Sequence, residues 1–464
     1  MTMSTPKILN NLQAFLEKSM KTHDIPGASI AVLKNGKIHT AAAGVLNIET
    51  NVNVTQDSIF QIGSITKLFT TTLIMQLVDE GRLELDEPIK KYIPTFQVAD
   101  MKATQKITVR HLISHTSGLD GDFFAEAGYG RDKLIRYLDK CTLLPQIHPP
   151  GEYISYCNSG FCIAGRLIEV ATGQTWEEAI CERIFKPLDM DHSVVRAEET
   201  LKFRTAVGHL PLPKKDGSTN QTHMVTPMPY SPSAHAPAGS TTTMTALNLL
   251  KFVQMHLNNG ACAKGKQVLS KKSTKVMQTP QVDMPKYAAL DTMHVGLGWM
   301  LMDWDDTRVI GHDGGTVGEL AFLRVIPEQN IAIALLTNSM NGGQLYNGMY
   351  SRLMPELAGI QTPKEPKPAK LPMDLSRYIG RYETIGQWME IYEEDKKLKG
   401  KTGSKMVSEE IVPQEFDFSS IERDHFLTET KGDMPSMVIS FLGKTRTGLA
   451  EYIFSGARMM KRKH

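Results

Sequence analysis

Residues 361–373 read Gln-Thr-Pro-Lys-Glu-Pro-Lys-Pro-Ala-Lys-Leu-Pro-Met, with four prolines and three lysines. Proline fixes its own φ and donates no amide hydrogen, so this stretch suits neither a helix interior nor a central strand. It reads as a stiff, exposed linker. That one segment divides the 464-residue chain into a large unit, 1–360, and a small one, 374–464. The two units carry different patterns.

In the large unit, Ile8, Leu9, Leu12, Phe15, Leu16 and Met20 recur at helical spacing, so an amphipathic helix opens the fold. Residues 30–33, the turn pair Asn35-Gly36 and Ile38 onward predict a β-hairpin. After Gly63, Phe69, Leu73 and Leu77 with Ile74 and Val78 mark a second helix, which Gly81 is placed to end. Helices and loops then dominate to about residue 260, and strand signals return at 296–302, 309–311, 321–325 and 331–337. Strands at both ends with helices between predict an α/β domain whose sheet is closed by its own termini. The small unit alternates with period two: Met389 and Ile391 against Trp388, Glu390 and Tyr392, then 437–441 and 449–454. Charged turns separate these runs, which predicts a small antiparallel barrel or sandwich. Residues 458–464, rich in Arg and Lys, read as a solvated tail.

Composition narrows the function classes. Lys and Arg total 52 against 50 for Asp and Glu, so no charge excess argues for nucleic acid. The longest clean aliphatic run, 331–336, is far below the ~18 residues of a membrane span. No apolar signal core is seen in residues 1–7, and five scattered cysteines fit a reducing compartment. The expectation is a cytoplasmic protein without a membrane or nucleic-acid partner.

Three short segments can carry chemistry. Gly63-Ser64-Ile65-Thr66-Lys67 sets a hydroxyl and an amine three apart at a helix start, so both share one face. A serine is a poor nucleophile until a base takes its proton, and a desolvated lysine can be that base. The helix start adds free N–H groups suited to an oxyanion. Tyr156-Cys157-Asn158 offers a phenol for proton exchange and, two residues on, an amide for a carbonyl. Gly311-His312-Asp313-Gly314-Gly315 lies between strand signals, and its glycines permit close backbone approach. Taken singly, each has a bland alternative: a helix cap, a polar turn, a β-turn with a surface histidine.

Together, in this order, they resemble the serine β-lactamase and penicillin-binding-protein superfamily, with its Ser-x-x-Lys, Tyr-x-Asn and His-x-Gly motifs. The likeness covers about residues 8–358. It includes Phe60-Gln-Ile-Gly-Ser-Ile-Thr-Lys67, Ile107-Thr-Val-Arg-His-Leu-Ile-Ser-His-Thr-Ser-Gly-Leu119, Pro237-Ala-Gly-Ser240, Gly296-Leu-Gly-Trp299 and Thr337-Asn-Ser339. The chain is most similar to the class C, family VIII esterase and D-aminopeptidase branch. Tyr378-Ile-Gly-Arg-Tyr382 resembles the start of a lipocalin-like barrel appended to some members.

The resemblance implies a β-lactamase-like fold: an antiparallel sheet flanked by helices, an all-helical region, and a C-terminal antiparallel β-barrel. It implies Ser64 as acyl-accepting nucleophile, Lys67 as base and Tyr156 as second proton carrier, either of the last two taking the first proton. Asn158 would orient Lys67 and the acyl group, His312 would occupy the third motif, and the Gly314-Gly315 backbone would help Ser64 N–H hold the oxyanion. No metal or cofactor is implied. The substrate would be a small ester, amide or short peptide, and a homo-oligomer is compatible.

Two departures favour esterase, amidase or aminopeptidase chemistry over β-lactam hydrolysis or DD-peptidase action. Position 312 is His and not Lys, and no Glu-x-x-x-Asn follows Ser64. A non-catalytic scaffold is disfavoured because Ser64, Lys67, Tyr156 and Asn158 are all present. His111 and His115 stand four apart, but Leu112 occupies the place of a zinc-protease glutamate, which argues against a metal site. Cys157, between two site residues, points away by alternation. Residues 203–236 read as a loop that either lines the substrate entrance or makes a solvated excursion.

Overall fold

The structure, a computed structural model, describes residues 6–212, 222–286, 292–364, 366–369, 374–405, 413–430 and 436–463. Glu365 and residues 370–373 of the linker lie outside the described residues, as do 213–221 of the loop 203–236.

The opening helix α1 (Leu12–Thr22) leads into a hairpin of β1 (Gly27–Lys34) and β2 (Lys37–Gly44). Its turn is Asn35-Gly36 with φ of 52° and 73°, the left-handed pair that a two-residue hairpin needs. Helices α2 (Thr66–Asp79) and α3 (Asn158–Thr172) follow, and the remaining strands of the main sheet come late. They are β3 (Val282–Asp283), β4 (Thr292–Val295), β5 (Met300–Trp304), β6 (Thr307–Thr316), β7 (Glu319–Ile326) and β8 (Ile331–Thr337). The sheet runs β2-β1-β8-β7-β6-β5-β4-β3, so the first hairpin pairs with the last strand, Ala28 opposite Thr337. Closure of the sheet by the ends of its own unit is as the sequence predicts.

Every residue of β8 is buried because both faces of the sheet are covered. On one face Ile30 and Val32 pack with Leu16 and Met20 of α1 and with Leu345, Met349 and Tyr350 of α4 (Gly342–Ala358). On the other, Ala31 and Leu33 join the helical region through Leu68, Phe69 and Leu73 of α2. Each such apolar side chain contributes roughly 1.5–3 kcal/mol by leaving water. In α2 the residues from Thr66 to Leu77 are all buried, so this helix is core on every side. Lys67 is carried into that core with 0% exposure.

The small unit is a closed antiparallel barrel of β9 (Gly380–Glu383), β10 (Gln387–Glu394), β11 (Lys397–Ser404), β12 (Gln414–Glu422), β13 (His425–Thr430), β14 (Val438–Leu442), β15 (Tyr452–Ser455) and β16 (Arg458–Arg462). Eight strands leave an interior that side chains can fill. Tyr378, Tyr382, Met389, Phe426, Phe441 and Met460 are among those that fill it. The barrel closes where β16 pairs with β9, Arg462 opposite Tyr382. The solvated tail expected at 458–464 is therefore corrected to a closing strand. Its Met459, Met460 and Arg462 are buried, and Arg462 donates to the carbonyls of Ala450, Ile379 and Arg377. Charge misled because Arg462 is paired with backbone oxygens and Arg458 with the Asp122 carboxylate.

The barrel docks on the large unit through an apolar cluster in which Tyr452, Phe454 and Met459 meet Ile147, Ile154, Tyr156 and Met300. Polar contacts fix the register: Ile385 N–H donates to Asp120 (2.7 Å) and Met459 N–H to Ser155 Oγ (3.1 Å). Among the described residues no helix is long and apolar enough to cross a membrane.

Candidate active site

Ser64 sits in a 3₁₀ turn, Gly63–Ile65, that runs straight into α2. One helical turn on, Lys67 Nζ donates to Ser64 Oγ (2.9 Å) and to the Ala238 carbonyl (2.6 Å). Burial lowers the Lys67 pKa to about 7, because the nearby Asp122 and the Ala238 carbonyl only partly offset the loss of water around an ammonium. An amine half neutral at pH 7 can accept the Ser64 proton.

Strand β6 is pressed against this turn, backbone on backbone. A Cβ on Gly314 would lie 1.8 Å from the Ile62 carbonyl oxygen and 3.0 Å from Ser64 N. Gly63 adopts φ of 50°, and a Cβ there would lie 2.5 Å from Gly315 N. Only glycine fits at both places. The consequence is that the backbone at Gly314-Gly315 lies directly against the backbone at Gly63-Ser64.

Tyr156 arrives from the loop before α3. Its N–H donates to the Ala457 carbonyl (2.8 Å) and its ring stacks on His115 at 4.3 Å. The Cys157 N–H donates to His115 Nδ1 (2.9 Å), so the proton of the neutral imidazole is on Nε2. Burial raises the Tyr156 phenol, while its hydrogen bond to Ser64 and the nearby Arg458 pull it back. The Lys67 ammonium lies 4.9 Å from the centre of the Tyr156 ring. Cys157 turns inward, away from the serine, and its sulfur accepts the Gly160 N–H at the start of α3.

Asn158 finds a different partner from the one its motif implies. Its amide donates to Asp122 Oδ1 (3.0 Å). Asp122 is in turn gripped in bidentate fashion by Arg458 of the barrel. The guanidinium carbon also stands 5.1 Å from the centre of the Tyr156 ring.

His312 is buried and does not line the cavity in front of Ser64. Its Nδ1 pairs with the Asp313 carbonyl (2.6 Å), and burial beside Lys67 drives its pKa down to about 3. It is neutral at pH 7 and supplies no cation. The cavity measures about 560 Å³ and is walled by Ser64, Tyr156, Asn158, Gly314, Gly315, Phe124, His235 and Arg458 among others. Of the seven residues singled out in the sequence, five line it, Lys67 lies beneath Ser64, and His312 sits behind the wall.

Sequence reasoning missed Asp122, Ala238 as an acceptor, and Arg458. Asp120-Gly-Asp122 follows directly on the Thr-Ser-Gly-Leu119 signature, which is a faint signal for Asp122. Arg458 had none: it is 336 residues from the carboxylate it holds. His111 and His115 are accounted for without a metal. His111 closes a capping box with Thr108, and His115 serves the Tyr156 loop.

The family described as Beta-lactamase matches residues 12–353. Penicillin-binding protein 4 of Amycolatopsis lactamdurans is 38% identical over 366 residues, 78% of this chain and 94% of that one. Two crystal structures of SurE, one with D-Leu, superpose with TM-scores of 0.81 and 0.79 at 24% and 23% identity. They cover 98% of this chain and 99% and 100% of theirs, so the likeness in fold extends through the barrel. The D-amino acid amidase of Ochrobactrum anthropi SV3 superposes at a TM-score of 0.59 and 24% identity, over 74% of this chain and 98% of its own. With the family match spanning most of the large unit, the chain belongs to the Beta-lactamase family of serine hydrolases.

Proposed function

We propose that the chain hydrolyses an amide or ester of an amino acid or short peptide through an acyl-enzyme on Ser64, with a D-residue at the scissile bond. The observation that carries the chemistry is the 2.9 Å contact between Ser64 Oγ and a buried Lys67 whose pKa is lowered to about 7. In the neutral state the contact reverses and Ser64 O–H donates to Nζ. Ser64 Oγ bonds to the carbonyl carbon while Lys67 takes the proton, and the Ser64 and Gly315 N–H groups hold the oxyanion. The C–N or C–O bond then breaks as Tyr156 gives its proton to the leaving group and takes up the one Lys67 holds, so that both regain their starting states. Water repeats the sequence on the ester. Lys67 is the better first base, since burial lowers it and raises Tyr156.

The D-preference is supported by the D-amino acid amidase and by SurE with D-Leu, and a neutral His312 supports substrates that need no cation there. A second reading, penicillin acylation, is favoured by the 38% identity to a penicillin-binding protein. The proposal includes a functional division at 1–360 and 374–464 and a reducing compartment, the latter supported by five free cysteines.

The test is intact-protein mass after a fluorophosphonate and, in parallel, a penicillin, on wild type and Ser64→Ala. A fluorophosphonate adduct that vanishes in the variant is expected, with hydrolysis of D- over L-aminoacyl anilides and a loss of ~10⁴-fold or more in the variant. A lasting penicilloyl adduct turns the assignment to the second reading. No adduct from either reagent overturns both and leaves a scaffold.

A further inference from the structure

A second cavity of about 570 Å³ adjoins the catalytic one, and Ser231 lines both. The segment 228–240 forms the partition. Its far end, Met228 to Ser233, lines the second cavity, and its near end, Ala238 to Ser240, lines the first.

This partition is held by the catalytic helix and by Gln61, just before the nucleophile turn. Gln61 Nε2 donates to the Pro229 carbonyl (2.9 Å), Thr70 Oγ1 to that of Pro237 (2.7 Å), and Lys67 Nζ to that of Ala238 (2.6 Å). Any group that presses on 228–233 therefore pushes on a strap whose other end positions the Lys67 amine.

The lining also states the chemistry it suits. Arg131, Lys133 and Arg196 are the lysines and arginines of the wall, and each is already paired with a glutamate: Glu178, Glu177 and Glu199. No anionic ligand is called for, and the two further carboxylates of the wall, Glu126 and Glu198, oppose one. At the rim Tyr129 is 84% exposed and Met228 48%, and Phe124 at 44% stands on the catalytic side. Tyr129 and Met228 line the second cavity with Pro229 and Tyr230, and Phe124 lines the first.

We propose that the second cavity is a remote subsite that binds an uncharged, apolar-bearing stretch of a peptide substrate several residues from the scissile bond. Its occupancy steadies the strap and with it Lys67. The inference rests on the acyl-serine reading above and deepens it: the substrate is an extended peptide and not a single amino-acid amide. Binding energy gained far from the reacting carbonyl is then spent on positioning, so it appears in kcat as well as KM.

The probes are p-nitrophenyl esters of N-acetyl-leucine and of N-acetylated tri- and pentapeptides of alanine and leucine ending in that residue. Each is made with the terminal leucine in both configurations. In the wild type kcat/KM should rise about tenfold or more from one residue to five, with part of the rise in kcat. Met228→Ser and Tyr129→Ser each remove a rim contact. Both should keep wild-type turnover of the one-residue ester, which also reports that they fold, and lose most of the rise. Esters turned over with no length dependence in the wild type, or with the same rise in both variants, overturn the remote subsite alone. Esters all inert, with no adduct on Ser64, overturn the hydrolase reading and this inference with it.

Discussion

The two walls that flank Ser64 are built from different materials. On one side Gly63, Gly314 and Gly315 bring main chain against main chain, with no side chain between. On the other, Tyr156, Asn158, Asp122 and Arg458 form a chain of side chains that crosses from the large unit into the barrel. The first wall has no slack, since it is set by covalent geometry and strand pairing. The second is set by charge and hydrogen bonds, and so it can be weakened by degrees. Loss on the first side should be abrupt, and loss on the second graded and pH-dependent.

Gly314→Ala makes the sharpest test. Its Cβ would fall 1.8 Å from the Ile62 carbonyl oxygen, so β6 must retreat from the nucleophile turn by more than an ångström. A shift of that size misplaces one oxyanion donor and costs ~10²–10³-fold in kcat/KM. Steady-state hydrolysis of a D-aminoacyl anilide measures it, with circular dichroism to check the fold. Activity within threefold of wild type would mean that the close approach of the two backbones is dispensable.

Arg458→Gln breaks the other wall. Removing the guanidinium leaves Asp122 with the Asn158 amide as its remaining described side-chain partner, and loosens Asn158 and the Tyr156 ring. A loss of about 10–100-fold is expected, the range for a positioning charge pair rather than a reacting group. The pH profile separates this from simple loosening. Arg458 lowers the Lys67 pKa and Asp122 raises it. Without the arginine the ammonium is stabilised, so the acid limb of kcat/KM, near pH 7 in the wild type, moves to higher pH. Asp122→Asn moves it to lower pH. Limbs that stay fixed in both variants would detach the barrel from the chemistry.

The same contrast governs what the sequence made legible. The first wall was readable because its logic is local: Ser64 and Lys67 lie one helical turn apart, and a Gly-Gly pair between strand signals announces a close approach. The sheet order was readable because β1 and β8 are apolar runs at the two ends of one unit. The barrel was readable from alternation, since Met389, Ile391 and Phe441 point inward at period two. The second wall was not. Asp122 and Arg458 are ordinary surface residue types, and only docking of the barrel makes them partners. Position 312 was placed at the third motif by the resemblance alone, and the pleat sends its imidazole behind the wall. Asn158 has the expected place and a different partner, Asp122, whose carboxylate accepts from its amide.

The smallest expected effect on turnover lies behind the first wall, at Glu319, a fully buried carboxyl that begins β7. Its oxygens accept Gln61 N–H (3.0 Å) and Gln61 Nε2–H (2.8 Å), three residues before the nucleophile. These two bonds do not repay desolvation, and burial raises its pKa to about 8. A carboxyl with a raised folded-state pKa stabilises the fold while protonated in that state. That contribution is full below the unfolded value near 4.5 and is lost as pH rises through about 8. Glu319→Gln removes the titration. Gln61 Oε1 is buried without a partner among the described residues, so a turn of that amide gives the new NH₂ an acceptor, at the loss of the Gln61 bond to the Pro229 carbonyl. Turnover should stay within about threefold of wild type, because the backbone contacts at Gly314 and Gly63 persist. Thermal unfolding from pH 5 to 9 should fall less steeply in the variant, by an amount worth a few kcal/mol at the alkaline end. Equal slopes would mean that Glu319 is ionised throughout. A hundredfold loss of activity with the melting temperature unchanged would mean that the glycine wall is not rigid by itself and depends on this carboxyl to hold the Gln61 segment in place.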